Sequence, residues 1–169
     1  MPPDLRQEAS QGQIALDELS RILDAMGVKA QAFYQEREKE ILLEIRGNNV
    51  GLVIGKRGQT LEALEFILNL IHRKRFSDCK ELVLDAEGYR EKKMDVLKKI
   101  LVGARDTALH TNHEVPLEPM TPSDRKIIHL LCRDFDDVIS ESRGEGVGRR
   151  VVIRPTEITD EKGKRETVH

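Results

Sequence analysis

The segment VIGKRGQTL, residues 53–61, contains a turn with a glycine at each end, Gly55-Lys56-Arg57-Gly58. Another backbone can approach such a turn closely, because glycine has no Cβ atom to obstruct it. A strongly amphipathic helix follows directly, and the free amides at the start of a helix attract phosphate. We therefore predict a phosphate-binding loop here. The alternative is a plain turn, since this tetrad occurs by chance in many sequences.

The hydrophobic pattern around the loop predicts the order helix, strand, strand, helical turn, helix, strand. Leucines spaced three and four residues apart predict a first helix over 14–26. Alternation over 28–34 and an apolar run over 41–45 predict a hairpin. The helix after the glycine loop extends to about residue 74, and a third strand follows at 82–84.

The second half is predicted to contain a long helix, a shorter helix and a strand. Apolar residues on one stripe predict a helix over 89–111. After a linker, Thr121 can cap a new helix with its hydroxyl, Pro122 suits the first turn, and Asp124 can return the capping bond. A mobile loop over 142–148 and a strand over 149–154 complete this half. The apolar side of the shorter helix is predicted to consist of Ile127, Leu131, Phe135 and Val138.

Arg125 and His129 form a second candidate site on the shorter helix. They are four residues apart, so their side chains fall within about 40° of each other, on the face opposite the apolar residues. Arg149 and Arg150 follow on the predicted strand. We predict that all four side chains contact nucleic acid and that the Arg125–His129 pair is exposed. The alternative is that both are ordinary solvated side chains.

The net charge of −2, from 28 Lys and Arg against 30 Asp and Glu, argues at first sight against a nucleic-acid partner. The charges are unevenly distributed, however. Residues 1–46 contain six basic and nine acidic residues, whereas 47–76 contain five basic and two acidic, and 143–154 contain four basic and one acidic. Because phosphate contacts depend on local positive potential, two basic segments keep RNA and DNA as candidate ligands.

The length and the apolar content of the chain limit the classes of protein to which it can belong. The 169 residues suit two small domains. No stretch approaches the roughly 18 continuous apolar residues that a membrane-spanning helix needs, and the N-terminus lacks the layout of a secretory signal. We therefore predict a cytoplasmic protein without membrane insertion.

The spacing of Cys, His and acidic residues favours neither a metal site nor an enzyme. Cys79 and Cys132 have no CxxC or Cys/His spacing, so we predict two buried or half-buried free thiols. A catalytic site could be imagined around His110, His113 and His129. Because paired carboxylates, nucleophile–base spacing and a phosphate-binding P-loop are lacking, we predict no catalytic residue, no metal and no cofactor.

The element order, together with the glycine loop, closely resembles a type II KH domain over about residues 14–86. KH domains hold about four nucleotides of a single strand beside this loop, with bases on an apolar floor. The resemblance implies that Leu61 and part of the second strand belong to the floor, although Val53 and Leu61 could equally be core residues. The RNA-binding residues that it implies are Val53, Ile54, Gly55, Lys56, Arg57, Gly58 and Thr60.

The second half is similar to the R-three-H domain, a module named for its Arg-x-x-x-His spacing and associated with single-stranded nucleic acids. The order of both motifs, with the later loop and the Arg149–Pro155 segment, resembles the bacterial Jag family, also called SpoIIIJ-associated, KhpB or EloR. Longer members begin with a Jag N-terminal domain, which we do not expect here.

The family resemblance implies an α+β fold of two small α/β-sandwich domains. The first is a type II KH domain of order αββααβ over 13–87, and the second is an R-three-H domain over 88–156. We predict a disordered N-terminus over 1–12 and a flexible tail over 157–169.

The function implied is binding of single-stranded RNA, or single-stranded DNA, in a post-transcriptional regulator connected to cell elongation and envelope control. The alternative is a protein-interaction adaptor that acts through KH-mediated dimerisation, as a homodimer or with a small KhpA-like KH protein. If His129 contacts phosphate as a cation, binding should strengthen as the pH falls from about 8 to 6. Acidic residues over 134–137 are expected to raise its pKa.

Overall fold

Helix α1 (Gln11–Ala25) opens the computed structural model, which describes residues 10–159 and 165–167. The Ser10 hydroxyl accepts a hydrogen bond of 3.2 Å from the Gln13 amide and so caps the first turn. The helix therefore begins before the predicted start at Ile14, and the prediction of disorder is wrong for residues 11 and 12. Residues 1–9, for which disorder was also predicted, lie outside the described residues.

The sheet of the first unit has three strands: β1 (Ala30–Glu36), β2 (Glu40–Gly47) and β3 (Glu81–Ala86). β2 lies between the other two, antiparallel to β1 and parallel to β3. Alternate side chains of β2 point into the core, because successive residues of a strand face opposite sides of a sheet. The fully buried side chains of this strand are Ile41, Leu43 and Ile45.

Two helices and a short turn connect β2 to β3. Helix α2 (Val50–Ile54) is followed by a one-turn 3-10 helix (Lys56–Gly58) and by helix α3 (Gln59–Arg75). The order αββααβ predicted for this half is thereby confirmed. Helices α1, α2 and α3 contribute apolar side chains to one core with β2 and β3. These side chains are Ala15, Leu19, Leu23, Val50, Val53, Leu61, Leu64 and Leu68.

His72 of α3 is a fully buried polar residue in this core. Its Nε2 atom lies 3.2 Å from Oε1 of Gln11, and the same oxygen accepts a 3.1 Å bond from the Lys80 amide. The Gln11 amide group also donates to the carbonyl of Asp78 at 2.9 Å. This network ties the start of α1 to α3 and to the chain before β3. Burial lowers the pKa of His72, although the nearby Glu18 carboxylate opposes the shift.

The described residues divide between Arg90 and Glu91 into two compact units. The second begins in helix α4 (Tyr89–Thr111), which has the bounds predicted from its apolar stripe. Its sheet has the order β4-β6-β5 and is antiparallel throughout. The other elements of this sheet and core are β4 (Val115–Pro116), α5 (Pro122–Cys132), β5 (Val138–Arg143) and β6 (Arg150–Pro155).

Helix α5 is shorter than predicted. Thr121 accepts a 3.2 Å bond from the Asp124 amide and caps the helix as expected, but the helix ends at Cys132, and Val138 begins β5. Its buried side is also rotated from the prediction, because Asp124, Ile128 and Cys132 are buried whereas Ile127 and Leu131 are only half-buried. Lys93 of α4 pairs with the buried Asp124 carboxylate at 2.5 Å, which offsets the cost of burying that charge.

The turn between α5 and β5 is held by Arg105 of α4. Its guanidinium binds both carboxylate oxygens of Asp137, with Nε to Oδ1 at 2.8 Å. The same guanidinium lies over the ring of Phe135, 4.8 Å from its centre. Arg105 also holds the pKa of Asp137 below its usual range. Phe135, predicted for the helix, is therefore a fixed residue of the turn.

The segments predicted to be mobile or flexible contain regular structure. β5 extends to Arg143, and a 3-10 turn (Gly146–Gly148) lies within the predicted loop. Where a flexible tail was predicted, β7 (Glu157–Thr159) and β8 (Arg165–Thr167) pair as an antiparallel ribbon.

Both cysteines are free thiols, as predicted, with Cys79 half-buried and Cys132 buried. Burial raises the pKa of the Cys132 thiol, so this residue is an apolar core group rather than a nucleophile. Within the described residues, no helix is both long and apolar enough to cross a membrane.

We expect the first unit to lose stability below about pH 6.5, because unfolded His72 titrates near that value and the buried ring does so only at lower pH. The contribution of the neutral ring to the free energy of unfolding is present above this pH and is lost as the pH falls. Denaturant unfolding of the wild type and of His72→Gln at several pH values measures the effect, with His110→Gln as the exposed control. The pH dependence should be weaker in His72→Gln alone; equal dependence in all three proteins would contradict the assignment.

Candidate nucleic-acid interface

The glycine loop between α2 and α3 adopts left-handed backbone conformations. The φ angles are 68° at Gly55, 57° at Arg57 and 84° at Gly58. Space is restricted as well, because a Cβ atom on Gly55 would lie 1.9 Å from the hydroxyl oxygen of Thr60, and one on Gly58 would lie 2.6 Å from a ring carbon of Tyr89. Both glycines are therefore required by conformation and by close packing.

The loop presents two exposed cations next to an open helix end. Lys56 and Arg57 are exposed, whereas Gly58 is buried. Gly58 occupies the N-cap position of α3 and has no side chain to bind the amides of the first turn. Those amides and the two cations can bind a phosphate, and Glu62 in the same turn is the one acidic residue there.

The predicted apolar floor is largely inside the core. Val53 and Leu61 have exposed fractions of 0 % and 2 %, so Val53 cannot contact a base as predicted. The second strand, β2, is central in the sheet, and its inward side chains are covered. Ile54 is half-buried, and Leu52, which was not predicted as a site residue, is 61 % exposed. The helical spacing of Val50 and Val53 could have shown that Leu52 faces solvent.

Arg125 and His129 of the second unit lie over strand β5. The imidazole of His129 bonds to two serine hydroxyls, with Nδ1 2.7 Å from Ser140 Oγ and Nε2 2.8 Å from Ser142 Oγ. Nη1 of Arg125 donates to the same Ser142 hydroxyl at 3.3 Å. The predicted exposure of the pair is wrong, since both residues are half-buried.

The surroundings of His129 favour its neutral form. Burial lowers its pKa, and the nearby guanidinium groups of Arg125 and Arg133 lower it further. The prediction that the acidic residues over 134–137 raise this pKa is therefore wrong; the strongest charges acting on the ring are positive. A neutral imidazole donates from one nitrogen and accepts at the other, and serine hydroxyls can serve both.

Arg149 and Arg150 lie in different surroundings from the histidine. Arg149 is exposed in the turn before β6. Arg150 pairs in register with Arg143, while Ser142 pairs with the fully buried Val151. Because successive residues alternate across a sheet, Arg150 is on the face opposite Ser142 and His129. The structure thus joins Arg125 to His129 but places Arg150 apart from them.

Ser140 and Ser142 were not predicted as site residues, because the predicted α5 extended through Val138 and a loop was predicted from Ser142. The segment Val138-Ile-Ser-Glu-Ser142 does not alternate apolar with polar residues, so periodicity gave no signal for the strand that carries the two serines. No group of three His, Cys, Asp or Glu side chains that could hold a metal ion occurs in the part of the chain that the structure describes.

Comparisons with known proteins match both units. The model of the KhpA/KhpB KH domain matches residues 14–82, and the R-three-H domain model matches residues 96–155.

Relatives match over lengths greater than either unit. The chain is 36 % identical over 150 residues to RNA-binding protein KhpB of Clostridium symbiosum, covering 88 % of this chain and 67 % of that protein. It is 36 % identical over 137 residues to RNA-binding protein KhpB of Bacillus subtilis, with coverages of 80 % and 66 %. For RNA-binding protein KhpB of Streptococcus pneumoniae, the identity is 30 % over 132 residues, with coverages of 78 % and 40 %.

The chain thus spans about two thirds of the length of the first two relatives and less than half of the third. Because each match is longer than either unit, each includes parts of both. By these matches, the chain belongs to the bacterial KhpB family of proteins with a KH and an R-three-H domain.

Proposed function

We propose that this protein binds single-stranded RNA, without catalysing a reaction, through the Gly55–Gly58 loop of the first unit and the Arg125–His129 face of the second. The observation that carries this function is the fixed left-handed turn that brings Lys56 and Arg57 to the uncapped start of α3. The names of the relatives as RNA-binding proteins support the same ligand.

The loop is suited to the sugar-phosphate backbone rather than to base edges. Its exposed side chains are the two cations of Lys56 and Arg57, which bind phosphate oxygens without regard to sequence. The adjacent apolar surface of Leu52 and Ile54 is then available to a base that leaves the stack. The same chemistry accommodates single-stranded DNA, so any preference for RNA depends on contacts to the 2′-hydroxyl.

The second unit contributes an arginine held by a hydroxyl. Arg125 makes one long bond, to Ser142, and its buried Nε has no hydrogen-bond partner among the described residues. This guanidinium can therefore turn toward a phosphate at a modest cost in hydrogen bonding. His129 orients Ser142 and so sets the resting position of Arg125.

A role in the regulation of cell elongation and of the envelope, after transcription, rests on the family resemblance. Binding short unpaired segments of transcripts is the activity that such a role requires, and both proposed sites suit unpaired strands. A cytoplasmic location is consistent with this ligand.

A second candidate function, pairing with another KH domain, is favoured by the outer face of α3. We define this face by Phe66, Ile67, Leu70 and Ile71, whose exposed fractions are 65, 46, 48 and 38 %. Four large apolar side chains on one exposed helix face are typical of an interaction surface. The partner would be a second copy of this chain or a small KhpA-like KH protein, and pairing is compatible with RNA binding.

Replacement of both Lys56 and Arg57 by Asp should reduce RNA affinity by at least about tenfold, because two phosphate contacts become repulsive. The backbone should be retained, since aspartate tolerates the left-handed conformation of Arg57. The slope of log K against log salt should fall by about 0.7 per lost contact. Fluorescence anisotropy with a single-stranded RNA measures both effects.

The control for charge is the replacement of Lys98 and Lys99, two exposed neighbours on α4, by Asp. It changes the net charge equally and should have a smaller effect. Equal losses in the two variants would show that the glycine loop has no special part in binding.

Replacement of His129 by Gln should weaken RNA binding by the same factor at every pH between about 8 and 7, because the histidine is neutral there and acts by holding Ser140 and Ser142. The loss of hydrogen bonds should also destabilise the second unit by about 1 kcal/mol. Titrations of both proteins at several pH values test this. A wild-type affinity that rises on acidification in this range, in a way that the variant lacks, would show a cationic contact instead.

Replacement of Leu70 by Asp should convert a dimer of this chain, or its complex with a KH partner, to monomers, since a charge cannot be buried in an apolar interface without a partner. Light scattering after size-exclusion chromatography measures the mass. Val96→Asp, at a 54 % exposed position of α4, is the control. If the Leu70→Asp protein kept the mass of an oligomeric wild type, the outer α3 face would not be part of the interface.

A further inference from the structure

Strand β3, at one edge of the first sheet, is closed by side chains. The Asn69 side chain bonds to both backbone groups of Leu82, donating to the carbonyl at 2.7 Å and accepting from the amide at 3.0 Å. The Leu84 amide donates to Glu65 at 2.7 Å, and the Leu84 carbonyl accepts a 2.9 Å bond from Nε of Arg90. The hydrogen-bonding groups of these two strand residues are therefore not available to another strand.

Strand β1 forms the opposite edge, and among the described strands it pairs with β2 alone. The Arg37 amide donates to the Glu40 carbonyl at 2.8 Å, directly after the strand. From this pair onward, residues of an antiparallel ladder alternate between those bonded to the neighbouring strand and those whose backbone groups point away from it. Ala32, Tyr34 and Glu36 therefore direct their amides and carbonyls away from β2, toward the open edge.

The sequence of β1 lacks the features that usually protect an edge strand. Such features are a short length, lysine or proline within the strand, and bulges. β1 is seven residues long, AQAFYQE, and contains neither lysine nor proline. Its register with β2 continues without a bulge from Ala30 to Glu36. The strand thus presents a regular edge to which an extended chain can be added.

Apolar surface lies on both faces of the sheet at this edge. Tyr34 is 37 % exposed and points toward α1, where its ring leaves no room for a Cβ atom on Gly12. Leu16 is half-buried one turn further along the same side of α1. Phe33 points to the other face, is 46 % exposed, and has the Arg46 guanidinium 5.5 Å from its ring centre. An added strand has apolar contacts on each face for its alternating side chains.

The charges on the α1 side of the edge favour a positively charged partner. Asp17 and Asp24 are exposed and seven residues apart, so they lie together on one side of α1, next to that of Leu16. The cation that follows β1, Arg37, is already in an ion pair of 2.6 Å. The cation that precedes it, Lys29, lies at one end of the edge. Basic side chains directed toward α1 are therefore attracted to the two aspartates.

We propose that the free edge of β1 binds an extended, positively charged peptide of a partner protein as a fourth strand of the sheet. The peptide bonds to the outward backbone groups of Ala32 and Tyr34. Its basic side chains, at alternate positions, are directed to Asp17 and Asp24, and its apolar side chains lie beside Phe33 on the other face. The peptide uses none of the residues assigned to RNA, so the inference does not depend on the proposed function.

The probe is a peptide of eight alternating lysine and valine residues with blocked ends, titrated into the full chain. Two further versions carry a methyl group on every lysine amide or on every valine amide of the backbone. An added strand bonds to its neighbour through every second residue. We therefore expect one methylated version to lose at least about tenfold in affinity and the other to bind much as the parent peptide does. A peptide of alternating glutamate and valine, the control for charge, should bind at least about tenfold more weakly than the parent.

Amide hydrogen exchange measured by NMR locates the bound peptide on the protein. The outward amides of Ala32 and Tyr34 should exchange at least about tenfold more slowly when the lysine–valine peptide is bound, because each gains a hydrogen bond. The amides of Gln31 and Phe33 face β2 and are already bonded, so they serve as the internal control and should change less.

Replacement of Asp17 and Asp24 together by Asn should weaken binding of the lysine–valine peptide severalfold, since the attraction to its basic side chains is lost. The matched control is the replacement of Asp95 and Asp106, two exposed aspartates of α4, by Asn. It changes the net charge equally and should leave the affinity for the peptide close to that of the wild type.

Several results would overturn the inference. These are no binding of the lysine–valine peptide at up to about 1 mM, equal affinities of the two methylated versions, or unchanged exchange at Ala32 and Tyr34 in the presence of bound peptide. Slow exchange of these two amides that appears without peptide and increases with protein concentration would assign the edge to a second copy of this chain, and the peptide site would then be wrong. None of these results bears on the binding of RNA.

Discussion

The left-handed turn from Gly55 to Gly58 is the constraint on which the first unit depends. Residue 55 faces the Thr60 side chain and residue 58 faces the Tyr89 ring at distances that leave no room for a Cβ atom. These contacts fix the direction in which α3 leaves the turn, and α3 carries the apolar side chains that cover β2 and β3. The turn thus determines both the packing of the core and the position of Lys56 and Arg57 at the helix start.

In the second unit, side chains rather than glycines fix the geometry of the candidate binding face. Ser140 and Ser142 point from β5 toward α5 and occupy both nitrogens of the His129 ring. Arg125 shares one of those hydroxyls. A histidine bonded on both sides holds Ser142 in place, and that hydroxyl sets the resting position of a half-buried arginine that can still turn toward a phosphate.

Much of the fold could be predicted from the sequence, because its helices have clear apolar stripes and its turns have glycines. α4 and the order αββααβ are of this kind. The end of α5 could not be predicted from periodicity, since Phe135 and Val138 continue the helical spacing by chance while Arg105, distant in sequence, fixes the turn. The spacing of Arg125 and His129 places them on one helix. The serines beneath them and the burial of Val53 depend on contacts between elements that are distant in sequence, which periodicity does not show.

The proposed RNA site has two parts, the glycine loop of the first unit and the face of the second unit where α5 lies over β5. The most direct measurement is photo-crosslinking of the full chain to a single-stranded RNA that contains 4-thiouridine, with identification of the crosslinked peptides by mass spectrometry. We expect crosslinks within residues 50–61 and within 125–142. Crosslinks confined to the outer α3 face, with none in residues 50–61, would contradict it.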